Sequence, residues 1–146
     1  EFVDDIQKIM KISQMVLAGI GMIALVVAVI GIGNTMTTAV YDRIHEIGIL
    51  KVLGSDPEEL LYLFLLESGL LGGMGGLLGV ILSYGIVEVF VNRMAVKLME
   101  LPKGTVLAVI PWWLAVAAVI FSILLGVLAG FFPAKWAAGL KPIKAL

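Results

Sequence analysis

Residues 12–41, ISQMVLAGIGMIALVVAVIGIGNTMTTAVY, contain no aspartate, glutamate, lysine or arginine. The hydrocarbon core of a bilayer is about 30 Å thick, and about 20 apolar residues in an α-helix cross it. Hydrocarbon offers the backbone no hydrogen-bond partners, so a spanning segment with this composition must be helical. The stretch therefore predicts a transmembrane helix.

Two further runs without these charged residues lie at 68–87 and 105–134. Neither alternates apolar and polar residues as a barrel strand does. Apolar residues at the start of the chain recur at helical spacing, which extends the first helix toward the N-terminus. We predict an all-α membrane protein with three transmembrane helices, an N-terminal stalk and a short helix between the first two spans.

Composition excludes several other classes of protein. Of 146 residues, 61% are hydrophobic and 14% charged, with a mean hydropathy of +1.11, whereas soluble domains are about 25% charged. A soluble enzyme domain and a disordered chain are both excluded by this balance. The net charge of -1 provides no basic surface for nucleic acid. With no cysteine and one histidine, we expect neither a metal site nor catalytic residues, and the chain contains no phosphate-binding loop motif.

The chain divides into six segments by charge and hydropathy. Lysine and arginine are shared equally between the two sides of the membrane, so the positive-inside rule does not orient the chain. The segments are the stalk and first span (1–41), a short helix and turn (42–56), the second span (57–92), a connector (93–104), the third span (105–136) and a tail (137–146).

The segment 42–56 carries most of the local signals. Apolar residues around Ile44 and Ile47 recur at helical spacing and predict one buried face. Gly48 and Gly54 are predicted to break the helix. Asp56, followed by Pro57 and by glutamates in the next turn, has the pattern of a helix N-cap.

Glycines are concentrated in the second span and recur in the third. Small residues four positions apart remove side chains from one helix face and let a second helix approach closely. The sequence leaves open whether that second helix belongs to the same chain or to another copy. The glycines predicted to pack are Gly69, Gly72, Gly73, Gly76, Gly79, Gly126 and Gly130.

Two polar residues lie inside apolar stretches. Glu67 is about 10 Å into the membrane if the second span begins near residue 60, and an intramembrane carboxylate is a functional candidate. A carboxylate bonded to a neighbouring helix near the interface is the alternative. Asn34, near the end of the first span, is predicted to cap or to bond between helices.

Residues 42–55, DRIHEIGILKVLGS, resemble the E-R-x-x-E-I-G-x-x-x-A-x-G-A segment of FtsX/MacB-like ABC transporter permeases. Residues 31–36 are similar to that family's G-I-x-N-x-M helix end, and Glu67 with the following glycines is similar to its E-x-x-x-x-x-G-G-x-x-G pattern. The ending at 126–146 matches the family's tail in order and spacing. Asp42, Val52 and Ser55 depart mildly from the pattern.

The resemblance implies a coupling helix that contacts a separate ATP-hydrolysing subunit. It places residues 42–59 and the C-terminal tail in the cytoplasm and the chain in the cell (inner) membrane. ATP and Mg²⁺ are expected on that partner and no cofactor on this chain, with a second permease copy or relative as a further partner. The residues implied to contact the ATPase subunit are Asp42, Arg43, His45, Glu46, Ile47, Gly48, Lys51 and Gly54.

The function expected from the resemblance is that of an export-type permease, which passes movement of the ATPase to parts outside the cytoplasm. The family also implies another membrane helix and an extracytoplasmic domain ahead of residue 1. Two alternatives remain from the residues alone. One is a structural bundle that oligomerises through its glycine faces, and the other is an ion-coupled carrier that uses Glu67.

Overall fold

The computed structural model describes residues 2–98, 102 and 108–139. Its helices are α1 (Phe2–Asp42), α2 (Ile44–Val52), α3 (Pro57–Ile86), α4 (Val96–Leu98) and α5 (Trp112–Gly139), with a π-helical segment at Val87–Ala95 between α3 and α4. The residues described contain no strand. Three helical stretches are long and apolar enough to cross a membrane: Val3–Asp42, Pro57–Met94 and Trp112–Gly139. The predicted all-α fold with three spans is confirmed.

Helix α1 is a single rod of 41 residues, or about 60 Å at 1.5 Å per residue. It runs from the predicted stalk into the first span without a break. Residues 3–28 are exposed along their whole length. Contact with α3 and α5 is confined to the C-terminal third of α1, where Met36 and Val40 are buried.

Helices α3 and α5 form the central pair of the bundle. A Cβ atom built on Gly72 would lie 3.0 Å from the Cα of Gly126, and the reverse substitution meets the same distance. Ser122 Oγ donates a hydrogen bond to the Gly72 carbonyl at this crossing. The two backbones therefore approach closely because neither helix places a side chain between them.

A buried apolar cluster joins four helices at the end of the bundle that carries α2. Apolar side chains from α1, α2, α3 and α5 meet there, and each is almost fully buried. Since this is where α1 ends, α3 begins and α5 ends, the cluster fixes the position of α2. Its members are Val40, Ile47, Leu60, Phe64, Ala134 and Ala137.

The segment from α2 to the start of α3 differs from the sequence prediction at Gly48 and at the cap of α3. Gly48 lies inside α2 and is buried, so the predicted break there is wrong. Gly54 does end the segment: its φ is +97°, a conformation that favours glycine. Asp56 takes the N-cap position with Pro57 at the first helical position, but its side chain makes no capping hydrogen bond. The backbone carbonyl of Asp56 accepts from the Glu59 N–H at 3.1 Å instead.

At the opposite end, the spans have different limits from those predicted. Residues 108–111 are not helical, and α5 begins at Trp112, where Pro111 accepts hydrogen bonds from the Leu114 and Ala115 N–H groups. Helix α3 continues into the π-helical segment, so the second helical stretch outlasts its predicted end. Most of the second half of the predicted connector (93–104), the predicted start of the third span at 105–107, and residues 140–146 of the predicted tail lie outside the described residues.

Candidate coupling site

Arg43 is the only residue between α1 and α2, and the backbone turns there without a linker. Its φ and ψ are -107° and 13°. The Arg43 N–H donates to the Ala39 carbonyl at 3.3 Å, and the Arg43 carbonyl accepts from the Ile47 N–H at 3.0 Å. The first bond ends α1 and the second begins α2, so a single residue joins the two helices at this α1–α2 corner.

The inner face of α2 is packed against the bundle. Ile47 is 3% exposed and belongs to the apolar cluster at this end, and Gly48 beside it is also buried. These two residues were predicted to contact an ATPase subunit, but in this structure their face of α2 is covered by the chain itself. The helical period explains the difference, since a nine-residue helix that buries one face has only the opposite face free.

Lys51 ties the same face of α2 to α5. Its Nζ donates a hydrogen bond to the Ala138 carbonyl at 2.6 Å. The last carbonyls of a helix have no intrahelical partner and carry partial negative charge, so an ammonium group stabilises them. Burial lowers the pKa of Lys51 below its usual value, because desolvation disfavours the charged form. Lys51 therefore serves the anchoring of α2, although it was predicted as a partner contact.

The outer face of α2 is free and unusually apolar. His45 and Glu46 are exposed there, as the sequence prediction required of partner contacts. Leu53 is 78% exposed, although it lies at the end of the bundle where the charged connector is found. The exposed apolar residues here were not among the predicted contacts: Ile49, Leu50, Val52 and Leu53. Helical spacing from Glu46 places Ile49, Leu50 and Leu53 on its side of α2.

Arg43 also reaches α3. Its guanidinium Nη1 lies 3.7 Å from Glu67 Oε2, and both side chains are partly exposed. The carboxylate that was singled out within the second span therefore has a cation from the α1–α2 corner beside it. Asp42 and Gly54 are exposed at the two ends of α2.

Asn34 is exposed on α1. Its backbone carbonyl accepts a hydrogen bond from Thr38 Oγ1 at 3.1 Å, one turn further along the same helix. Thr37 Oγ1 bonds in the same way to the Gly33 carbonyl at 2.7 Å. The hydroxyl groups at this end of α1 are thus satisfied within the helix.

The glycines divide into packed and open positions. Gly69 and Gly73 contact the side chains of Val127 and Ile123, and Gly76 contacts Ser122. Gly79 has nothing within 4 Å of the position a Cβ would take. The partner of the packed face is therefore α5 of the same chain. Gly126 and Gly130 lie on α5 facing Ser68.

Within the described residues, no three His, Cys, Asp or Glu side chains converge as metal ligands do. The structure instead brings Arg43 close to Glu67 at the α1–α2 corner and places Lys51 at the end of α5. Helix α2 is held on its inner face and exposed on its outer face. This arrangement can transmit a displacement from one helix to another.

Comparison with known proteins gives a consistent family. Residues 18–142 match the family described as FtsX-like permease C-terminal. The chain is 38% identical over 141 residues to the uncharacterised ABC transporter permease MJ1507 of Methanocaldococcus jannaschii, covering 97% of this chain and 34% of that protein. It is 36% identical over 146 residues to the uncharacterised ABC transporter permease YknZ of Bacillus subtilis, covering 100% and 34%.

The macrolide export ATP-binding/permease protein MacB of Chromobacterium violaceum is 38% identical over 146 residues, which is 100% of this chain and 21% of MacB. The chain thus spans about a third of the length of its first relatives. The family match covers most of the chain and includes residues 18–42 of the first span, all of α2 and the other two spans. The chain is a multi-pass membrane protein that belongs to the FtsX-like permease family of ABC transporters.

Proposed function

We propose that this chain is the membrane permease portion of an export-type ABC transporter that couples ATP binding and hydrolysis to movement outside the cytoplasm. In this proposal the α2 end faces the cytoplasm and the N-terminal end of α1 faces outward. The membrane is the cell (inner) membrane. The relatives named as ABC transporter permeases and as macrolide export proteins support this reading.

One observation carries the proposal: α2 is fixed on one face and free on the other. Ile47 and Lys51 attach the inner face to the bundle. Ile49 and Leu53, which lie on one side of the helix, stay exposed together with Glu46. Exposed apolar patches on a water-facing surface mark sites of protein association. A partner that binds this face can therefore push on the bundle through a helix that does not slide.

The proposed partner is a nucleotide-binding ATPase, which holds ATP and Mg²⁺. The chain itself contains no phosphate-binding loop motif. Since MacB proteins are named ATP-binding/permease proteins, the ATPase is proposed either as a separate subunit or as another part of the same polypeptide. A second permease copy or relative is proposed to complete the transporter in the lipid bilayer.

Movement is proposed to leave the membrane through α1. The helix is about 60 Å long at 1.5 Å per residue, about twice the thickness of the hydrocarbon core. It begins far from the bundle and ends at the corner beside α2. A displacement of α2 is therefore passed to a rod that projects beyond the opposite membrane surface.

Co-purification with the ATPase tests this function. We expect Leu53→Glu and Glu46→Lys, made in the natural protein that carries these residues, to weaken retention of the ATPase at least about tenfold, because each changes the exposed face of α2. Leu98→Glu is the matched control, since Leu98 is 77% exposed at the opposite end of the molecule. If both α2 variants retain the ATPase as fully as Leu98→Glu does, the coupling function is wrong.

A further inference from the structure

Besides the apolar cluster that contains Val40 and Ile47, one pair of charged side chains joins the α1–α2 corner to α3. The Arg43 guanidinium and the Glu67 carboxylate are 3.7 Å apart, with 51% and 35% of the side chains exposed. The two residues are 24 positions apart in the sequence and belong to different elements. The pair therefore joins the place where the backbone changes direction to the adjoining spanning helix.

Glu67 is itself held in a well-packed part of α3. Its neighbour Ser68 is fully buried, donates to the Leu65 carbonyl at 3.0 Å and lies against Gly130 of α5. The carboxylate is thus carried on the tightly packed α3–α5 pair. Arg43 is carried on the corner between α1 and α2. The ion pair spans the boundary between these two bodies.

Above this boundary, α1 and α3 separate. A cleft of about 590 Å³ lies between them near the middle of the spans, and α5 contributes Ser122 to it. Its walls carry mostly small residues, including Ala28 and Gly31 of α1 and Gly75 of α3. Ile32 and Leu71 also line the cleft, but it stays open, so this part of α1 is not packed tightly against α3.

We propose that Arg43 and Glu67 are a positioning pair that fixes the α1–α2 corner on α3, so that a push on α2 rotates α1 about this point. Without the pair, the apolar cluster alone holds the corner against α3, and a smaller part of the displacement of α2 reaches the far end of α1. The proposal rests on the proposed function, since it takes the push from the ATPase. It gives Glu67 a mechanical role in place of ion transport.

Charge reversal distinguishes an effect of the ion pair from an effect of either side chain alone. Arg43→Glu and Glu67→Arg each place like charges together, and the double variant restores opposite charges in exchanged positions. Arg43→Lys keeps the charge and serves as the conservative variant. Glu88→Arg is the matched control, because it breaks the 3.3 Å ion pair between Glu88 and Arg93. Both residues of this pair lie in the π-helical segment, so the pair does not join two spanning helices.

The readout is the position of α1 rather than substrate transport. This chain contains no cysteine. Once any cysteines elsewhere in the natural protein and in the ATPase are replaced, spin labels on Gln14→Cys of α1 and Val89→Cys, both at exposed positions, report their separation. The natural protein with its ATPase is reconstituted in proteoliposomes, diluted with unlabelled protein so that distances within one chain dominate. Distances are compared without nucleotide and with a non-hydrolysable ATP analogue, and ATPase retention is measured on the same samples.

We expect the nucleotide-dependent shift to fall below about half its normal size in each single reversal, and to return in the double reversal and in Arg43→Lys. ATPase retention should stay normal in Glu67→Arg and in Glu88→Arg. Because Arg43 is itself among the residues implied to contact the ATPase, the shift in each Arg43 variant is expressed per retained ATPase. A full shift in either single reversal, or no recovery in the double variant although it retains the ATPase, overturns the proposed pair. If the protein without charge reversals shows no shift or does not retain the ATPase, the proposed function is contradicted, and the proposed role of the pair is then wrong as well.

Discussion

At the scale of single residues, the glycines of α3 differ from one another in what surrounds them. Gly72 lies against the backbone of α5, whereas Gly79 on the same helix faces open space. The sequence predicted a packing face but not its partner, because four-residue spacing reports only which face of a helix is small. The partner is set by the position of Gly126 and Ser122 in three dimensions.

A pair of identical substitutions tests this distinction. Gly72→Val should destabilise the bundle by about 1–3 kcal/mol, because the added side chain forces α3 and α5 apart. Gly79→Val should leave stability nearly unchanged, since a Cβ there meets no atom within 4 Å. Thermal unfolding in detergent, followed by the loss of monodisperse protein, measures both. Equal losses for the two variants would contradict the packing of α3 on α5 through Gly72.

Lys51 gives a prediction of pH dependence. Its pKa is lowered from 10.5 in the folded protein, so between the folded-state pKa and 10.5 the unfolded chain binds more protons. Stability therefore rises with pH across that window. Lys51→Met should remove this rise and lose the bond to the Ala138 carbonyl, worth about 1–3 kcal/mol.

Unfolding in denaturing detergent, measured at a series of pH values up to 10.5, compares Lys51→Met with the parent protein. Lys97→Met is the control, because Lys97 is exposed in α4. A stability rise of unchanged size in Lys51→Met would assign the pH dependence to another group.

At the scale of the elements, α2 shows both what sequence patterns predict and where they stop. Its place between two spans and its amphipathic character follow from residues 42–56 alone. The direction of each face does not, because the family motif includes residues of both faces. Gly48 was predicted as a break since isolated glycine weakens helices, yet its lack of a side chain suits a buried position in α2. The Arg43–Glu67 pair could not be predicted, because it depends on how the corner lies against α3.

The two faces of α2 should respond differently to the same change. Ile47→Ala removes a buried side chain from the apolar cluster and should cost about 2–5 kcal/mol of stability. Ile49→Ala, at a position 43% exposed, should change stability little but reduce retention of the ATPase. Thermal unfolding and co-purification on both variants give the comparison. A stability loss at Ile49 as large as that at Ile47 would show that the faces are wrongly assigned.

At the scale of the whole molecule, hydropathy alone predicted three spans and a long first helix, because lipid restricts the backbone to so few structures. The angle between the spans depends on packing that charge-free runs do not encode. Helix α1 contacts the other helices only along its last third, and residues 3–28 are exposed. Its stiffness is therefore a property of the helix itself rather than of neighbours within this chain.

Breaking the continuity of α1 should uncouple its two ends. Val26→Pro removes a backbone hydrogen bond in the helix interior at a cost of about 3 kcal/mol and introduces a kink. Val26→Ala is the control at the same exposed position. We expect the proline variant to retain the ATPase but to lose the nucleotide-dependent change in distance between labels at positions 14 and 89. An unchanged distance response would show that α1 does not carry the motion.

In the proposed coupling, the corner at Arg43 gives a mechanical advantage of less than one. Helix α2 is a short arm of about 13 Å and α1 a long arm of about 60 Å, at 1.5 Å per residue. A small stroke at α2 therefore becomes a swing several times larger at the tip of α1, with the available force reduced in the same ratio. Such a lever suits a task that requires a large displacement rather than a large force. The displacement at the tip of α1 then depends on the number of residues in α1.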